Sequence, residues 1–403
     1  MSPRVSTRRN QDEEYGVTTL ELFFDLVFVF AITQVSHLLL EHLDWRGALE
    51  SALVLLVVWW AWMYTTWVTN EVDPDTMPVR FLLLTIMMAS LLMAVAIPDA
   101  FGEKGLLFAG SYVFIQLLRQ AFLAFGATPP RTIARSRSVH ILTWFCFSAP
   151  FWIAGGLVDG DARIVLWLIG MAIDVSAPMA LYFVPWLQKL DMRAWNIGSG
   201  HFAERFQLFT IIALGETIVL TGATTSELEF NMTTALAFAG AFVSTACLWW
   251  LYFNYMATIL QRVLENAEIR TQVGRDIFTY GHIPIIAGII LCAVGDEIVL
   301  AHPTEYLHTP ELIAVVAGPT LYLMAFAPIR WKLTHSLPWR RVSGALACLA
   351  IGVFAHFTHP TALVTAGLLL LALIGVIAHE YVFRNLASDP EEPPAISEPV
   401  KTQ

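Results

Sequence analysis

Charged residues are scarce in this chain: they make up 14% of its 403 residues, whereas 57% are hydrophobic and the mean hydropathy is +0.62. A soluble protein of ordinary composition carries about a quarter charged residues to cover its surface. The deficit excludes an ordinary soluble protein and indicates extensive contact with a lipid bilayer, which is therefore the first partner that the sequence predicts.

Signatures of several other protein classes are also missing. The net charge is −10, which argues against a nucleic-acid partner, because phosphate binding needs clustered Lys and Arg. The four cysteines have no CxxC spacing, so neither a zinc site nor a disulfide scaffold is predicted. The chain contains no GxSxG, P-loop, dinucleotide-binding or HExxH motif. We therefore predict no cofactor and no metal, and an enzyme is the less favoured interpretation.

Long hydrophobic runs are what the sequence does have. A helix needs roughly 20 mostly apolar residues to cross a bilayer, and only helices satisfy all their backbone groups without a partner strand. The first sixteen residues are polar and lack a signal-peptide core, so the first apolar segment is predicted to remain as a membrane helix. We expect an all-α integral membrane protein with about twelve transmembrane helices, near residues 18–41, 48–69, 79–98, 105–126, 139–157, 163–186, 199–222, 232–257, 277–301, 311–330, 339–359 and 361–384.

Basic residues predict the orientation of these helices. If the N-terminus is cytoplasmic, eighteen of the 23 Lys and Arg residues fall on the cytoplasmic side, and only Arg46, Lys104 and Arg163 fall outside. The remaining two, Arg119 and Arg205, lie within spans. This asymmetry follows the positive-inside rule and places both termini in the cytoplasm.

Similar patterns in the two halves of the chain predict a duplication. An acidic segment that begins at Glu21 has a counterpart at Glu204, and the aromatic run at residues 59–62 matches that at 249–252. Because each half has an even number of helices, the two repeats would be parallel. The predicted regions are a cytoplasmic tail (1–17), a first six-helix repeat (18–186), a cytoplasmic linker (187–198), a second six-helix repeat (199–384) and a disordered cytoplasmic tail (385–403). A polar cytoplasmic connector, with a short helix as an alternative, is expected at 258–276.

Ionisable residues inside the apolar segments mark a candidate polar site. Such groups cost several kcal/mol in a bilayer unless they face a polar interior. Helical periodicity places Glu21 and Asp25 on one face together with Phe28 and Ile32. Glu216 lies about 18 Å deeper than Glu204 by helical rise. The candidate residues for a transport or polar site are Glu21, Asp25, Arg119, Asp174, His201, Glu204, Arg205, Glu216, Arg275, Tyr280 and His282.

Each of these residues also has a structural interpretation. Charges near helix ends, such as Glu21, Glu204 and Arg275, can be pairs that set helix register, for example Glu204 with Arg275. Arg119 is deep enough to pair with a carboxylate, and His282 can hydrogen-bond a neighbouring helix. Asp174 and Glu216 lie farthest from either interface and are the preferred candidates for binding a proton or a cation. Small residues at 235–241 predict close packing of the eighth span.

Three motifs carry a resemblance to a known family. They are the Glu-Leu-Phe-Phe-Asp-Leu-Val-Phe-Val-Phe-Ala run at 21–31, the His-Phe-Ala-Glu-Arg-Phe opening at 201–206 with Ala-Leu-Gly-Glu at 213–216, and Tyr-Gly-His-Ile-Pro at 280–284. Together they resemble the bacterial low-temperature-requirement protein A family, over about residues 15–385. The resemblance implies a multi-pass protein of the bacterial inner (plasma) membrane. It implies no reaction, because the family name records a cold-growth phenotype.

A looser similarity is to potassium channels built from two six-helix repeats, each of which opens on a Phe-Ser-Asp motif. Residues 23–28 resemble that motif, with Phe24 in place of Ser, and Thr19 stands where those channels carry arginine. The second repeat has Phe-Gln-Leu at 206–208 and lacks the Asp. The resemblance implies a path lined by the first and seventh spans, with Phe30 as a constriction.

These observations favour a transporter or channel-like protein for a cation, a proton or a small polar solute, with its path between the first helices of the two repeats. One alternative is a membrane-embedded enzyme acting on a lipid or isoprenoid. The other is a structural or sensory membrane protein that supports growth at low temperature. Assembly as a homo-oligomer is left open by the sequence.

Overall fold

The computed structural model describes residues 16–190 and 197–386, and these residues form helices joined by short connections. The predicted tails therefore lie almost wholly outside the described residues, as does half of the predicted linker. Twelve helical segments are long and apolar enough to cross a membrane. They are α1 (Thr19–Glu41), α2 (Trp45–Glu71), α3 (Met77–Asp99), α4 (Gly105–Ala127), α5 (Ile133–Leu157), α6 (Asp161–Met179), α7 (Ser199–Glu227), α8 (Met232–Glu265), α9 (Arg270–Ala301), α10 (Thr309–Thr334), α11 (Trp339–Thr358) and α12 (Ala362–Leu386). The all-α membrane fold with twelve spans is confirmed.

Polar residues define where several of these helices begin. Thr18 caps α1, and its side chain forms a reciprocal capping box with Glu21. Asp44, Thr132 and Asn231 cap α2, α5 and α8 by accepting a hydrogen bond from a backbone N–H in the first turn. Such caps satisfy donors that a helix cannot satisfy internally.

One predicted helix end is wrong, and the expected connector contains the helix that the sequence left open. The sixth span was expected to reach residue 186, but α6 ends at Met179, just after Pro178, and Leu181 and Tyr182 adopt positive φ angles that a helix cannot contain. The polar connector expected at 258–276 is mostly helical, because α8 continues as an amphipathic segment, Ala257–Glu265, and α9 begins at Arg270. Only residues 266–269 connect them.

Three helices contain a π-helical turn, at Phe122–Ala127 in α4, Tyr252–Met256 in α8 and Gly274–Tyr280 in α9. A π-turn releases backbone carbonyls from the regular ladder, and such turns are frequent at functional sites. In α9, the Thr279 carbonyl accepts a hydrogen bond from Trp59 of α2 at 2.9 Å. The turn in α9 therefore ties the second half of the chain to a helix of the first.

Helices follow the same order of neighbours in both halves. In the first half α1 packs on α2 and α3, α3 on α4, α4 on α5, and α5 on α6. In the second half α7 packs on α8 and α9, α9 on α10, α10 on α11, and α11 on α12. The halves meet where α1 contacts α7 and α9, and where α2 contacts α7 and α9.

Glycines permit a close helix contact between α9 and α10. A Cβ on Gly288 would lie 2.7 Å from the backbone nitrogen of Tyr322, and one on Gly318 would lie 2.6 Å from that of Cys292. The expectation of close packing at residues 235–241 of α8 is wrong at Gly240, where a Cβ would meet nothing within 4 Å. Small residues there leave space instead of closing it.

Candidate functional site

The strongest polar contact between the two halves joins Asp25 of α1 to Arg205 of α7. Arg205 donates from Nη1 to Asp25 Oδ2 at 2.7 Å and from Nη2 to Oδ1 at 2.8 Å. Trp62 of α2 donates a further hydrogen bond to Oδ1 at 2.9 Å. Arg205 is fully buried and Asp25 is 3% exposed. Both charges are thus held in a bidentate pair, the geometry that suits guanidinium and carboxylate groups.

A second contact between α1 and α7 lies one helical turn nearer to the predicted cytoplasmic end. Glu21 Oε1 is 2.9 Å from His201 Nε2, and both side chains are buried. Asn70 of α2 determines which ring nitrogen of His201 carries the proton. Its Oδ1 accepts from the Gly198 N–H, which turns its Nδ2 donor toward His201 Nδ1 at 3.1 Å. The proton of His201 is therefore assigned to Nε2, from which it is donated to Glu21.

Two of the predicted site residues lie apart from this interface. Glu204 is exposed, and its carboxylate accepts from the Val17 N–H at 3.3 Å. Arg275 pairs with Asp276 at 2.6 Å and donates to the Pro178 carbonyl at 3.3 Å, and Lys332 binds the same Asp276 carboxylate. The expected Glu204–Arg275 pair is therefore wrong, because each side chain has a nearer partner.

Glu216 lies deeper on the same α1–α7 interface. Its Oε2 accepts a hydrogen bond of 2.6 Å from Thr33 of α1, and the residue is 1% exposed. Its Oε1 is buried and has no hydrogen-bond partner among the described residues. In contrast to Asp25, this carboxyl group has no arginine beside it, so it can take up a proton or a cation without displacing an existing ion pair.

Arg119 and Asp174 lie inside the first half, away from the α1–α7 interface. Arg119 of α4 is fully buried and donates to the Ala61 carbonyl, the Thr65 hydroxyl and the Gln116 amide oxygen. Asp174 of α6 accepts from Tyr112 at 2.8 Å and from Trp152 at 3.0 Å. The two charges form no ion pair with each other, so the carboxylate partner expected for Arg119 is not Asp174.

The guanidinium of Arg119 instead lies against aromatic rings. It is 5.2 Å from the ring centroid of Tyr64, whose hydroxyl is 2.9 Å from that of Tyr182. Burial raises the pKa of the Tyr182 hydroxyl above its ordinary value, so this phenol stays neutral over the physiological range. A cation over an aromatic face is stabilised by the ring quadrupole, which offsets part of the cost of burying Arg119.

The two remaining predicted residues, Tyr280 and His282, connect helices. Tyr280 donates to the Val175 carbonyl of α6 at 2.6 Å. His282 contacts the Ile277 carbonyl through Nδ1 at 3.1 Å and the Tyr252 hydroxyl through Nε2 at 2.8 Å. With Nδ1 donating to the carbonyl, Nε2 accepts from the hydroxyl, and the ring is neutral.

Sequence reasoning grouped eleven residues, and only some of them meet. Glu21, Asp25, His201, Arg205 and Glu216 share the α1–α7 interface, whereas the other six lie elsewhere or face away. Three partners of these residues were missed, namely Trp62, Asn70 and Thr33. Asn70 is a lone amide at the end of an apolar helix, which is a signal that could have been noticed. Phe30, proposed as a constriction, is 38% exposed.

The α1–α7 interface contains one buried ion pair, one hydrogen bond between histidine and a carboxylate, and one carboxyl oxygen without a partner among the described residues. No group of three or more His, Cys, Asp or Glu side chains able to hold a metal occurs within residues 16–190 and 197–386. The interface is closed by aromatic packing, in which Trp62 lies 5.1 Å from Phe206 and 4.2 Å from Phe209 between ring centroids. Asp25 and Arg205 are therefore shielded from solvent.

Comparison with known proteins identifies the family. The family model described as bacterial low temperature requirement A protein (LtrA) matches residues 16–378. A protein of Rhizobium meliloti (strain 1021), described as uncharacterized, is 35% identical over 375 residues, which cover 92% of this chain and 89% of that protein. No solved structure matches the chain. The motifs, the twelve membrane helices and the match over nearly the whole membrane region lead to one conclusion: the chain belongs to the bacterial low temperature requirement A family.

Proposed function

We propose that the protein is a transporter or channel-like protein for a proton, a cation or a small polar solute, and that its path follows the α1–α7 interface. The observation that carries the proposal is the chemistry of this single interface. The Asp25–Arg205 ion pair and the Glu21–His201 hydrogen bond cross it near the predicted cytoplasmic end, and Glu216 lies deeper on it with one carboxyl oxygen that has no partner among the described residues. Membrane proteins keep ionisable groups at such depth mainly for function.

In this proposal the two contacts act as a closed gate. Removing one partner of a buried pair costs about 3–5 kcal/mol because the other charge is left uncompensated, so α1 and α7 cannot separate at this point without new partners for both charges. Opening requires that new partners, such as water or the transported species, replace those lost. Glu216, beyond the gate, would bind the proton or cation while the gate is closed.

The proposed two-repeat architecture is supported by the order of helix neighbours, which is the same in both halves. Transport sites in proteins built from repeats lie at the repeat interface, where the first helices of the two halves meet here. The predicted cytoplasmic location of both termini and the bacterial inner membrane as the site of action belong to the same proposal.

The test is proton and alkali-cation flux through purified protein in liposomes. We expect flux in the wild type and a loss of at least about tenfold in Glu216→Gln, which keeps the shape of the side chain but cannot exchange a proton. Glu227→Gln is the matched control, because Glu227 lies at the exposed end of the same helix. Its flux should equal that of the wild type.

Two outcomes would contradict the proposal. Equal flux in Glu216→Gln and wild type would remove Glu216 from the path. No flux of protons or alkali cations in the wild type would contradict the proposal for these two species and leave a small polar solute as the transported substrate.

A further inference from the structure

A cavity of about 300 Å³ lies among α8, α9, α10 and α12, in the half of each helix nearer to the predicted outer surface. None of its lining residues belongs to α1 or α7, so it is separate from the interface described above. Its volume falls at the lower end of the range typical of small-molecule sites, about 300–1,000 Å³. It therefore has room for a small ligand.

Two glycines, which have no side chain, leave this space open. A Cβ added at Gly240 of α8 or at Gly367 of α12 would meet nothing within 4 Å. Protein interiors are otherwise packed as densely as organic crystals, with few voids larger than a water molecule. Leu236 and Gly367, both in the lining, are also exposed on the surface of the bundle, so the cavity opens between α8 and α12 toward the membrane.

One carboxyl group lies in this mostly apolar lining. Asp296 of α9 contributes to the wall, and its Oδ2 is buried without a hydrogen-bond partner in the described part of the chain. The lining contains no Lys, Arg or His. A carboxylate in apolar surroundings is costly unless a counter-charge accompanies it. The described residues supply no positive charge in this lining, so a cationic ligand can provide the counter-charge for Asp296.

We propose that this cavity binds a lipophilic primary amine, with its ammonium group on Asp296 and its apolar body in the space beside Gly240 and Gly367. An ammonium group satisfies the carboxylate both by charge and by hydrogen bonding. Phospholipid headgroups with an amine also carry a phosphate, for which this lining has no basic partner. The site therefore selects a monocation with an apolar tail over a zwitterionic lipid.

Binding of decylamine to the protein in phosphatidylcholine nanodiscs tests the proposal, with decan-1-ol as the uncharged analogue. We expect decylamine to bind the wild type at least about tenfold more tightly than decan-1-ol. Asp296→Asn should abolish this preference. Glu297→Gln is the matched control, because it neutralises the adjacent carboxylate, which is not part of the lining, and should keep the preference.

A second variant tests the space itself. Gly240→Leu should fill the cavity and reduce the binding of both compounds by at least about tenfold, while Gly222→Leu, at another glycine with open space around it, should not. Equal affinities of wild type and Asp296→Asn for decylamine would overturn the proposal. So would unchanged binding in Gly240→Leu, or displacement of decylamine by phosphatidylethanolamine at equal concentration.

Discussion

Asp25 accepts three hydrogen bonds from Arg205 and Trp62, so both of its carboxylate oxygens are engaged. Glu216 lies on the same α1–α7 interface, and its Oε1 accepts no hydrogen bond from the described residues. At the scale of the single residue, this difference divides the buried acids into those that hold the structure and those that remain able to bind a ligand. The two classes respond differently to substitution.

Asp25→Asn should destabilise the protein by about 3–5 kcal/mol, because it leaves Arg205 buried with no counter-charge. The measurement is thermal unfolding in detergent. Asp161→Asn is the control, since Asp161 pairs with Arg46 at an exposed site where such a bond contributes at most about 1 kcal/mol. If both substitutions lowered the melting temperature equally, the buried Asp25–Arg205 pair would contribute no more to stability than the exposed Arg46–Asp161 pair.

The sequence predicts part of this residue-level arrangement. Spacing by four placed Glu21 and Asp25 on one helix face, and both are buried there. The same spacing rule would put His201, Glu204 and Arg205 on one face of α7, yet Glu204 is exposed. Periodicity within one helix cannot say which neighbouring helix covers each side of it, and the partners Trp62 and Asn70 come from α2.

At the scale of the element, α9 is the helix on which the second half is assembled. It contacts α7 and α10, and its glycine lets it approach α10 closely. Without a hydrophobic driving force between helices in lipid, close approach at small residues is a main source of helix association. A substitution that prevents α9 from approaching α10 this closely should therefore lower the stability of the protein.

Gly288→Ala should lower stability by about 1–3 kcal/mol, because its Cβ would overlap the backbone of Tyr322. Thermal unfolding of the purified variant measures this. Gly222→Ala serves as the comparison: its Cβ meets nothing within 4 Å, and alanine favours a helix by roughly 0.5–1 kcal/mol over glycine. A Gly288→Ala protein as stable as Gly222→Ala would contradict the assigned packing.

Helix positions could be predicted from hydropathy because a bilayer demands long apolar runs. The errors occur where another effect is stronger. The end of α6 is followed by positive φ angles at Leu181 and Tyr182, and the amphipathic stretch Ala257–Glu265 extends α8 beyond its apolar part. The cavity beside Gly240 was not predictable, because small residues permit either close packing or empty space, depending on the neighbouring helix.

At the scale of the whole molecule, the predicted orientation in the membrane rests on the distribution of basic residues, which fall mostly on one side of the twelve spans. The native cysteines suit a labelling test, because Cys247, Cys292 and Cys348 are buried and only Cys146 among the four is exposed. A Cys146→Ala background therefore gives a low signal.

In that background, a membrane-impermeant maleimide applied to right-side-out vesicles should label Glu229→Cys, in the exposed α7–α8 connection. It should label Asn266→Cys, in the α8–α9 connection, only after the membrane is disrupted. The predicted orientation requires this asymmetry. The reverse pattern of labelling would place both termini outside.

The contacts of α2 restrict how the two halves of the protein could move relative to each other. This helix belongs to the first half in sequence, yet Trp59 is bonded to the α9 backbone and Asn70 holds the Gly198 backbone at the start of α7 through two hydrogen bonds. A motion that separates α1 from α7 would break these contacts of α2 with α7 and α9 if α2 moved together with α1. Trp62 of α2 also binds Asp25 of α1, and Arg119 of α4 binds the Ala61 carbonyl and the Thr65 hydroxyl of α2. Because α2 is tied to both halves, a motion that separates α1 from α7 has to break the contacts of α2 with one half or the other.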